Sequence, residues 1–331
     1  MKLPSFAKTA VRALLHNAGG LTGVRYWKRQ SFRILMYHDF PAGKAGMSEA
    51  LDKQCAHIRR YYHAVTLTDI AKFLYKGTLL PPNALAVTVD DGNRDFLNGY
   101  PVFYAHQIPV TVFLVSGFLD RQFLFWWDRI VYAVGRTQQQ VLQLSLLPGQ
   151  PPEEWPLGTG EERDRAITQI GAVLKNLSDQ DREPVIQDLL KRLDVESPGE
   201  PPPEMLPLEW PDMRHLAKNG VDFGGHTVTH PVLSRIGDAQ KLLWEIEESK
   251  RRIEEELGHP IQHFCYPYGR WSDLNDAVIK NIARCGYQTA VTAEAGLNVP
   301  GADPFTLRRL SVDPTMPEHY FKELLAGLHV T

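Results

Sequence analysis

Short apolar runs alternate with stretches of helical periodicity along most of the chain. The runs are too short for helices and end in polar or glycine residues, a pattern typical of strands buried in a parallel sheet. It predicts strands at residues 32–37, 85–89, 110–115, 221–223, 263–266, 288–291 and 307–310. Helical spacing predicts helices over 49–62, 67–75 and 238–257. The alternation indicates an α/β fold whose parallel sheet is either open or closed into a barrel.

The alternation stops between residues 118 and 207. Two proline-rich passages, 148–152 and 197–203, bracket two stretches whose apolar residues recur at helical spacing. Pro184 would break a helix interior, so the second of these helices is expected to begin near it. A segment of this length buries little core by itself. We therefore predict a helical insertion, 118–207, within a barrel domain formed by residues 31–117 and 208–320.

Residues 1–30 are basic, and no acidic residue precedes Asp39. Lys8, Arg12 and His16 recur at a spacing of four, with apolar residues on the other face. A short basic amphipathic helix of this kind either lies on an anionic membrane surface or packs on its own domain. Basic residues interrupt any signal-peptide core, and no apolar run reaches the ~18 residues that a membrane span needs. The sequence predicts a cytoplasmic protein, with a peripheral position at the inner membrane face as a further hypothesis.

The overall composition is that of a globular protein, with 43% hydrophobic and 23% charged residues. This balance excludes a disordered chain, a collagen and a disulfide-rich miniprotein. A formal net charge of -3 gives no reason to expect a nucleic-acid partner. Cys55, Cys265 and Cys285 show no CxxC spacing, so we interpret them as reduced thiols.

Two adjacent carboxylates, Asp90 and Asp91, follow the predicted strand at 85–89. Parallel α/β folds place their functional sites at the carboxyl ends of strands. Two neighbouring carboxylates repel each other when both are ionised. A cation bound to one of them offsets this repulsion and keeps that carboxylate ionised. The alternative is an ordinary turn, since Asp-Gly is a common turn sequence.

A pair of histidines, His226 and His230, follows the predicted strand at 221–223. If the segment turns helically, both imidazoles face one metal ion. With Asp91 they make a set of two histidines and one carboxylate, which leaves coordination positions open for catalysis. Water on such an ion can attack a carbonyl near neutral pH, and Asp90 would be free to accept its proton.

These motifs resemble those of the NodB-like polysaccharide deacetylases, carbohydrate esterase family 4. The family's T-F-D-D-G motif matches residues 88–92, with Val89 in place of Phe, and its H-[ST]-x-x-H-P motif matches 226–231. Its third motif is similar to residues 266–269. The resemblance implies a distorted (β/α) barrel with its site at the strand carboxyl ends. It also implies a divalent metal ion, with zinc favoured over cobalt, nickel or iron.

The resemblance assigns roles to the matching positions. Asp90 would be the general base, and the backbone N–H of Tyr268 would stabilise the oxyanion. Thr227 would brace the histidine loop. Trp271, just after the third motif, is either a sugar-binding surface or a packing residue. The metal ligands would be Asp91, His226 and His230.

The chain departs from the family pattern at two places. Cys265 stands where the family has an arginine that holds the catalytic aspartate, so Arg308 or Arg309 is predicted to replace it. The usual general-acid histidine follows a Leu-x-His motif near the C-terminus, where this chain has only His329 close to its end. A sub-branch of the family carries Leu-x-Tyr-His near its start, as residues 35–38 do here. His38 is therefore assigned as the acid that protonates the leaving amine, the alternative being a histidine satisfied by backbone groups.

The sequence thus predicts a metal-dependent hydrolase that removes acetyl groups, N-linked rather than O-linked, from a polysaccharide, oligosaccharide or lipid-linked glycan. An iron oxygenase also uses two histidines and one carboxylate, but this chain lacks the His-x-Asp spacing usual there. The remaining alternative is a glycan-binding or scaffold protein with a decayed site. Val89 and Cys265 favour it, while the presence of every proposed ligand argues against it.

Overall fold

The computed structural model of the protein describes residues 20–41, 43, 45–147 and 149–329. The chain divides into two compact units, Met1–Leu119 with Leu208–Thr331, and Asp120–Pro207. The second unit begins two residues after the predicted start of the insertion and ends at the same residue. The predicted amphipathic helix between residues 5 and 19 lies outside the described residues.

The described residues form ten strands, and most of the buried positions in the barrel strands are apolar. In the strand over 84–89, for example, all six residues are buried, as expected for a parallel sheet covered on both faces. The strands are β1 (Arg33–Tyr37), β2 (His63–Ala64), β3 (Ala84–Val89), β4 (Val110–Leu114), β5 (Val141–Leu144), β6 (Glu153–Pro156), β7 (Asp222–Gly225), β8 (His263–Cys265), β9 (Thr289–Ala295) and β10 (Leu307–Ser311).

Helices connect most of these strands, and several have clear stop and start signals. Asp238 caps the longest helix by accepting hydrogen bonds from Gln240 N and Lys241 N, and Gly258 ends it with a positive φ. The helices are α1 (Gly20–Trp27), α2 (Met47–Tyr61), α3 (Leu67–Lys76), α4 (Phe96–Ala105), α5 (Ser116–Leu119), α6 (Trp126–Arg136), α7 (Gly160–Leu174), α8 (Asp179–Arg192), α9 (Trp210–Lys218), α10 (Ala239–Leu257), α11 (Asp276–Arg284) and α12 (Glu318–Ala326). Within the described residues, no helix combines the length and apolarity that a membrane span requires.

Seven parallel strands close into a barrel in the first unit. Around the ring the order is β1, β3, β4, β7, β8, β9 and β10, and β10 pairs with β1 again. Each barrel strand therefore lies beside the next barrel strand along the chain, and β2 extends the sheet beside β3. This arrangement confirms the predicted α/β barrel.

The strand pairing brings the carboxyl ends of several strands to one end of the barrel. Tyr37 in β1 pairs with Val89 in β3, so the residues that follow them are neighbours. Leu114 in β4 pairs with Gly225 in β7, the residue directly before His226. The predicted site residues consequently meet although they are far apart in the sequence.

The insertion contains a structure that its helical pattern did not indicate. Besides α6, α7 and α8 it holds an antiparallel hairpin, in which β5 pairs with β6. In the sequence, the proline-rich passage at 148–152 lies between these two strands. Helix α8 begins at Asp179, five residues before Pro184, with Ser178 as its cap.

The insertion also has its own apolar core, which corrects the expectation that it buries little by itself. Strand β5 contributes Leu142 and Leu144 to this core, and these two residues alternate with exposed ones along the strand. The buried apolar residues of this core are Ile130, Ala133, Val134, Leu142, Leu144, Leu146, Trp155, Leu157, Ala166, Ile170, Leu174, Ile186, Leu189, Leu190 and Leu193.

Candidate functional site

Asp91, His226 and His230 converge at the carboxyl end of the barrel. Asp91 Oδ1 lies 3.4 Å from His226 Nε2 and 3.5 Å from His230 Nε2. Ligands held tetrahedrally at ~2.0–2.1 Å from a zinc-like ion lie roughly 3.3 Å from each other. The three side chains are therefore spaced as the ligands of one small divalent cation would be.

The orientation of His226 supports the same interpretation. Its Nδ1 lies 2.7 Å from the backbone carbonyl of Cys265. A carbonyl oxygen only accepts hydrogen bonds, so Nδ1 carries a proton and Nε2 is the ring nitrogen that faces Asp91. Asp91 Oδ1 is itself buried and accepts no hydrogen bond from the described part of the chain. A buried carboxylate oxygen at ligand distance from two imidazole nitrogens is an environment that a cation would satisfy.

The electrostatics of the metal-free site favour a neutral His230 and an ionised Asp91, but a protonated His226. Burial acts to lower the pKa of His226, but Cys265 and Asp91 outweigh it and hold this pKa well above its ordinary value, so a metal ion would displace a proton from this imidazole. Burial, together with the neighbouring His226, lowers the pKa of His230 to about 3, which keeps this imidazole neutral. Burial acts to raise the pKa of Asp91, but the two adjacent imidazoles outweigh it and hold the pKa below its ordinary value. The carboxylate is therefore ionised.

Asp90 is held by an arginine from the last barrel strand. Arg309 Nη1 and Nη2 each donate a hydrogen bond of 2.7 Å to the two oxygens of Asp90, and both residues are buried. Arg309 Nε also donates to the carbonyl of Thr292 at 2.7 Å. Burial acts to raise the pKa of Asp90, but Arg309 outweighs it and holds this pKa well below its ordinary value.

Of the two arginines predicted from the sequence, only Arg309 contacts Asp90 among the described residues. Arg308 is exposed and lies over the Trp271 ring, with 5.8 Å between its Cζ and the ring centroid. Neighbouring residues in a strand point to opposite faces, so one of the two had to point away from the barrel interior. Arg309 thus takes the place of the arginine that the third motif lacks.

The thiol of Cys265 contacts both Arg309 and the carboxylate of Asp90. Its Sγ is 3.1 Å from Arg309 Nη2 and 3.4 Å from Asp90 Oδ2. Asp90, His226 and Cys265 are also close enough together to form a metal-ligand set. A cation there would face the Arg309 guanidinium, and burial raises the pKa of the thiol, which disfavours a thiolate ligand. The set that contains Asp91 is the better metal site.

His38 lies at the open side of Asp90. Its Nε2 is 3.7 Å from Asp90 Oδ2, and its side chain is 40% exposed, whereas Asp90 is buried. This placement follows from the pairing of β1 with β3. The histidine can therefore contact a molecule that enters from solvent and approaches Asp90.

The third motif lies beside the histidine pair. Tyr268 has a φ of 61°, and its ring centroid is 5.1 Å from that of His230. Gly269 has a φ of 64°, and a Cβ there would come within 2.6 Å of Ala293 N, so only glycine fits. Trp271 is 47% exposed, and its backbone N–H donates to Glu294 Oε1 at 2.7 Å.

Two side chains support the loop that carries the histidines. Thr227 is buried, and its Oγ1 accepts a hydrogen bond of 3.0 Å from His230 N, the bracing contact that the resemblance implied. Glu245 on α10 also contacts this loop, and sequence reasoning missed it. A signal was present, since Glu245 interrupts the buried apolar stripe that includes Leu242 and Ile246.

Comparisons with known proteins agree with the fold and the motifs. The family model described as polysaccharide deacetylase matches residues 79–290. The protein YxkH of Bacillus subtilis (strain 168), itself only provisionally assigned as a polysaccharide deacetylase, is 28% identical over 104 residues. That match covers 31% of this chain and 36% of YxkH, so the matched region spans about a third of the relative.

Two solved structures have a similar fold at low sequence identity. The Streptococcus pyogenes deacetylase PplD, in complex with acetate, superimposes with a TM-score of 0.58 at 17% identity, over 89% of this chain and 98% of PplD. IcaB from Ammonifex degensii also gives a TM-score of 0.58 at 17% identity, over 90% of this chain and 97% of IcaB. At this identity the likeness concerns the fold alone.

Proposed function

Because the chain belongs to the polysaccharide deacetylase family, we propose that it is a metal-dependent hydrolase that removes acetyl groups from a glycan. The observation that carries the proposal is the pair of adjacent carboxylates with different environments. Asp91 faces two imidazoles, whereas Asp90 is bound by Arg309. One carboxylate can thus serve as a metal ligand while its neighbour stays available for proton transfer.

The residues Asp91, His226 and His230 would hold the metal ion, and zinc is the ion we favour over cobalt, nickel or iron. Two imidazole nitrogens and one carboxylate oxygen are common ligands of a catalytic zinc. A bound divalent ion would polarise the acetyl carbonyl and lower the pKa of an attacking water.

Asp90 accepts the proton of the attacking water in the proposed reaction. The Arg309 guanidinium keeps this carboxylate ionised and fixes its plane, so the base does not need to reorient during the reaction. A carboxylate with a low pKa is a weak base, but it suffices for a water whose own pKa is lowered.

His38 donates a proton to the departing nitrogen, since it is the exposed titratable group next to Asp90. The backbone N–H of Tyr268 stabilises the oxyanion, and Trp271 offers an exposed indole face to a sugar ring. N-acetyl groups are the favoured substrate because a leaving amine, unlike a leaving alcohol, must be protonated before it departs. O-acetyl esters are the alternative substrate.

The proposed activity predicts acetate release from acetylated glycans. Zinc-loaded protein should release acetate from at least one member of a panel of N- and O-acetylated oligosaccharides, and removal of the metal by a chelator should abolish this release. The measurement is enzymatic detection of free acetate, with zinc added back as the control for recovery.

Two negative outcomes would have different meanings. Stoichiometric zinc binding without acetate release would leave a lipid-linked glycan as the substrate to test next. Neither zinc binding nor acetate release would contradict the proposed hydrolase and favour a glycan-binding or scaffold protein.

We also propose that the protein works in the cytoplasm at the inner membrane face, where a lipid-linked glycan would be accessible. Residues 20–30, the part of the basic segment that the structure describes, support this location. Tyr26 and Trp27 on α1 are 65% and 81% exposed, and Lys28 and Arg29 follow them directly. Exposed aromatic residues beside half-buried basic residues are a favourable combination at an anionic membrane surface.

This location predicts that Trp27 contributes to membrane binding. Trp27→Ser should reduce the fraction of protein that floats with phosphatidylglycerol vesicles. We expect the affinity for the vesicles to fall about tenfold, which corresponds to a loss of ~1.4 kcal/mol of binding free energy. Trp244→Ser is the matched control, because Trp244 is exposed on α10. Equal flotation of both variants and the wild type would argue against a membrane contact at α1.

A further inference from the structure

The loop between the two histidines is tied to a buried carboxylate on a neighbouring helix. Glu245 Oε2 accepts hydrogen bonds of 2.9 Å from both Val228 N and Thr229 N. Its Oε1 accepts a hydrogen bond of 2.5 Å from Thr229 Oγ1. Glu245 has no measurable solvent exposure. Its carboxylate therefore holds three donors that lie between His226 and His230.

The loop needs such support because its backbone conformation is uncommon. Thr227 has a φ of 69° and His230 a φ of 60°, both in the left-handed region that favours glycine. Residues other than glycine remain in this region only when surrounding contacts impose it. The carbonyls of Thr227 and Val228 also accept hydrogen bonds from Ser116 N and Gly117 N. The loop is thus fixed from the α5 side through its carbonyls and from the α10 side through its N–H groups.

The charge state of Glu245 matters for these contacts. Burial raises the pKa of this carboxyl, while the donors of Thr229 and Val228 act to lower it. A protonated carboxyl has one oxygen that is a poorer acceptor and a proton that needs its own partner. The observed set of three donors on two oxygens is satisfied best by the ionised form.

We propose that Glu245 is a positioning residue of the metal site. It holds residues 227–230 in the strained conformation that aims the Nε2 atoms of His226 and His230 at one cation. Removing it should let the loop relax, so that the two imidazoles no longer share a centre. This role depends on the proposed function in one respect, which is that the site binds a metal ion.

The test compares zinc affinity across a graded series at Glu245. Competition with a chromophoric chelator should show that Glu245→Leu weakens zinc binding by roughly 10–100-fold, the usual loss when a residue supporting a metal ligand is removed. Glu245→Gln keeps an oxygen acceptor and should fall between Leu and the wild type. Glu247→Gln, an exposed glutamate on the same helix, should leave the affinity unchanged.

A second readout separates positioning from general stability. The d–d absorption of the cobalt-substituted protein reports ligand geometry, and it should change in Glu245→Gln while Glu247→Gln matches the wild type. If Glu245→Leu does not fold, the Gln variant decides the question alone.

The outcomes distinguish this proposal from the proposed activity. Equal zinc affinity and equal cobalt spectra in the wild type and Glu245→Gln would overturn the positioning role and leave the deacetylase proposal standing. If zinc affinity falls in a graded way across the Glu245 variants but the wild type releases no acetate, the positioning role would be supported. The same result would count against the deacetylase activity and not against the positioning role.

Discussion

Arg309→Met should lower the free energy of unfolding by about 3–5 kcal/mol, because it leaves the carboxylate of Asp90 buried without its ion-pair partner. Methionine fills a similar volume without a charge, so the change removes the ion pair and opens little space. Urea denaturation of the metal-free protein measures the effect. Arg308→Met, a neighbouring and exposed arginine on β10, should change the stability by less than about 0.5 kcal/mol.

The stability deficit of Arg309→Met should grow with pH. In the wild type the folded pKa of Asp90 is depressed, so its stabilising contribution is present above the ordinary carboxyl pKa of 3.8 and is lost only in strong acid. In the variant the attraction of Arg309 is lost, and only His38 and His226 still act against burial, so we expect this pKa to rise and the penalty, absent in acid, to appear as pH rises. The two proteins should therefore differ least near pH 4 and most near pH 8. A deficit independent of pH would show that lost packing, rather than the buried charge, is responsible.

Asp90→Asn should reduce kcat/KM for acetate release by about 10²–10⁴-fold, the usual contribution of a general base. The amide keeps the shape of the side chain but accepts no proton from the attacking water. Zinc affinity should remain close to that of the wild type, since Asp91, His226 and His230 supply the proposed ligands. The measurements are steady-state kinetics of acetate release and zinc titration on the same preparation.

His226→Ala provides the contrast to Asp90→Asn, because it should lose zinc binding and activity together. Asp90→Asn also leaves the Arg309 guanidinium buried opposite a neutral partner, so circular dichroism at the assay temperature must show that the variant is folded. Full turnover in a folded Asp90→Asn protein would contradict the proposed role of Asp90 as the base.

The barrel could be predicted from the sequence because most of its strands coincide with short, mainly apolar runs. The six buried residues of β3 and the run over 110–115 have no polar alternation, which parallel strands covered on both faces require. Polar residues directly after these runs then mark the end of the barrel where the site lies. Asp90, Asp91 and His226 could be assigned to one place for this reason.

Other features depend on packing that single residues do not reveal. Arg308 and Arg309 are neighbours in β10, so one of them must face the barrel interior. The pairing of β10 with β1 and β9 decides that this residue is Arg309. The hairpin of β5 and β6 is missed because four-residue strands give too little periodicity to recognise. Glu245 interrupts an apolar stripe, but its partners, two backbone N–H groups and the Thr229 hydroxyl, cannot be read from the sequence pattern.

The closure of the barrel has a consequence for how the protein is made. The contact between Asp90 and Arg309 joins residues 219 positions apart, and the ring is complete only when β10 pairs with β1. Contacts of such long range form late and slow the folding of a domain. During synthesis, the nascent chain therefore carries Asp90 without its arginine until β10 has left the ribosome. The final strand both closes the barrel and supplies the positive charge that stabilises the buried carboxylate of Asp90.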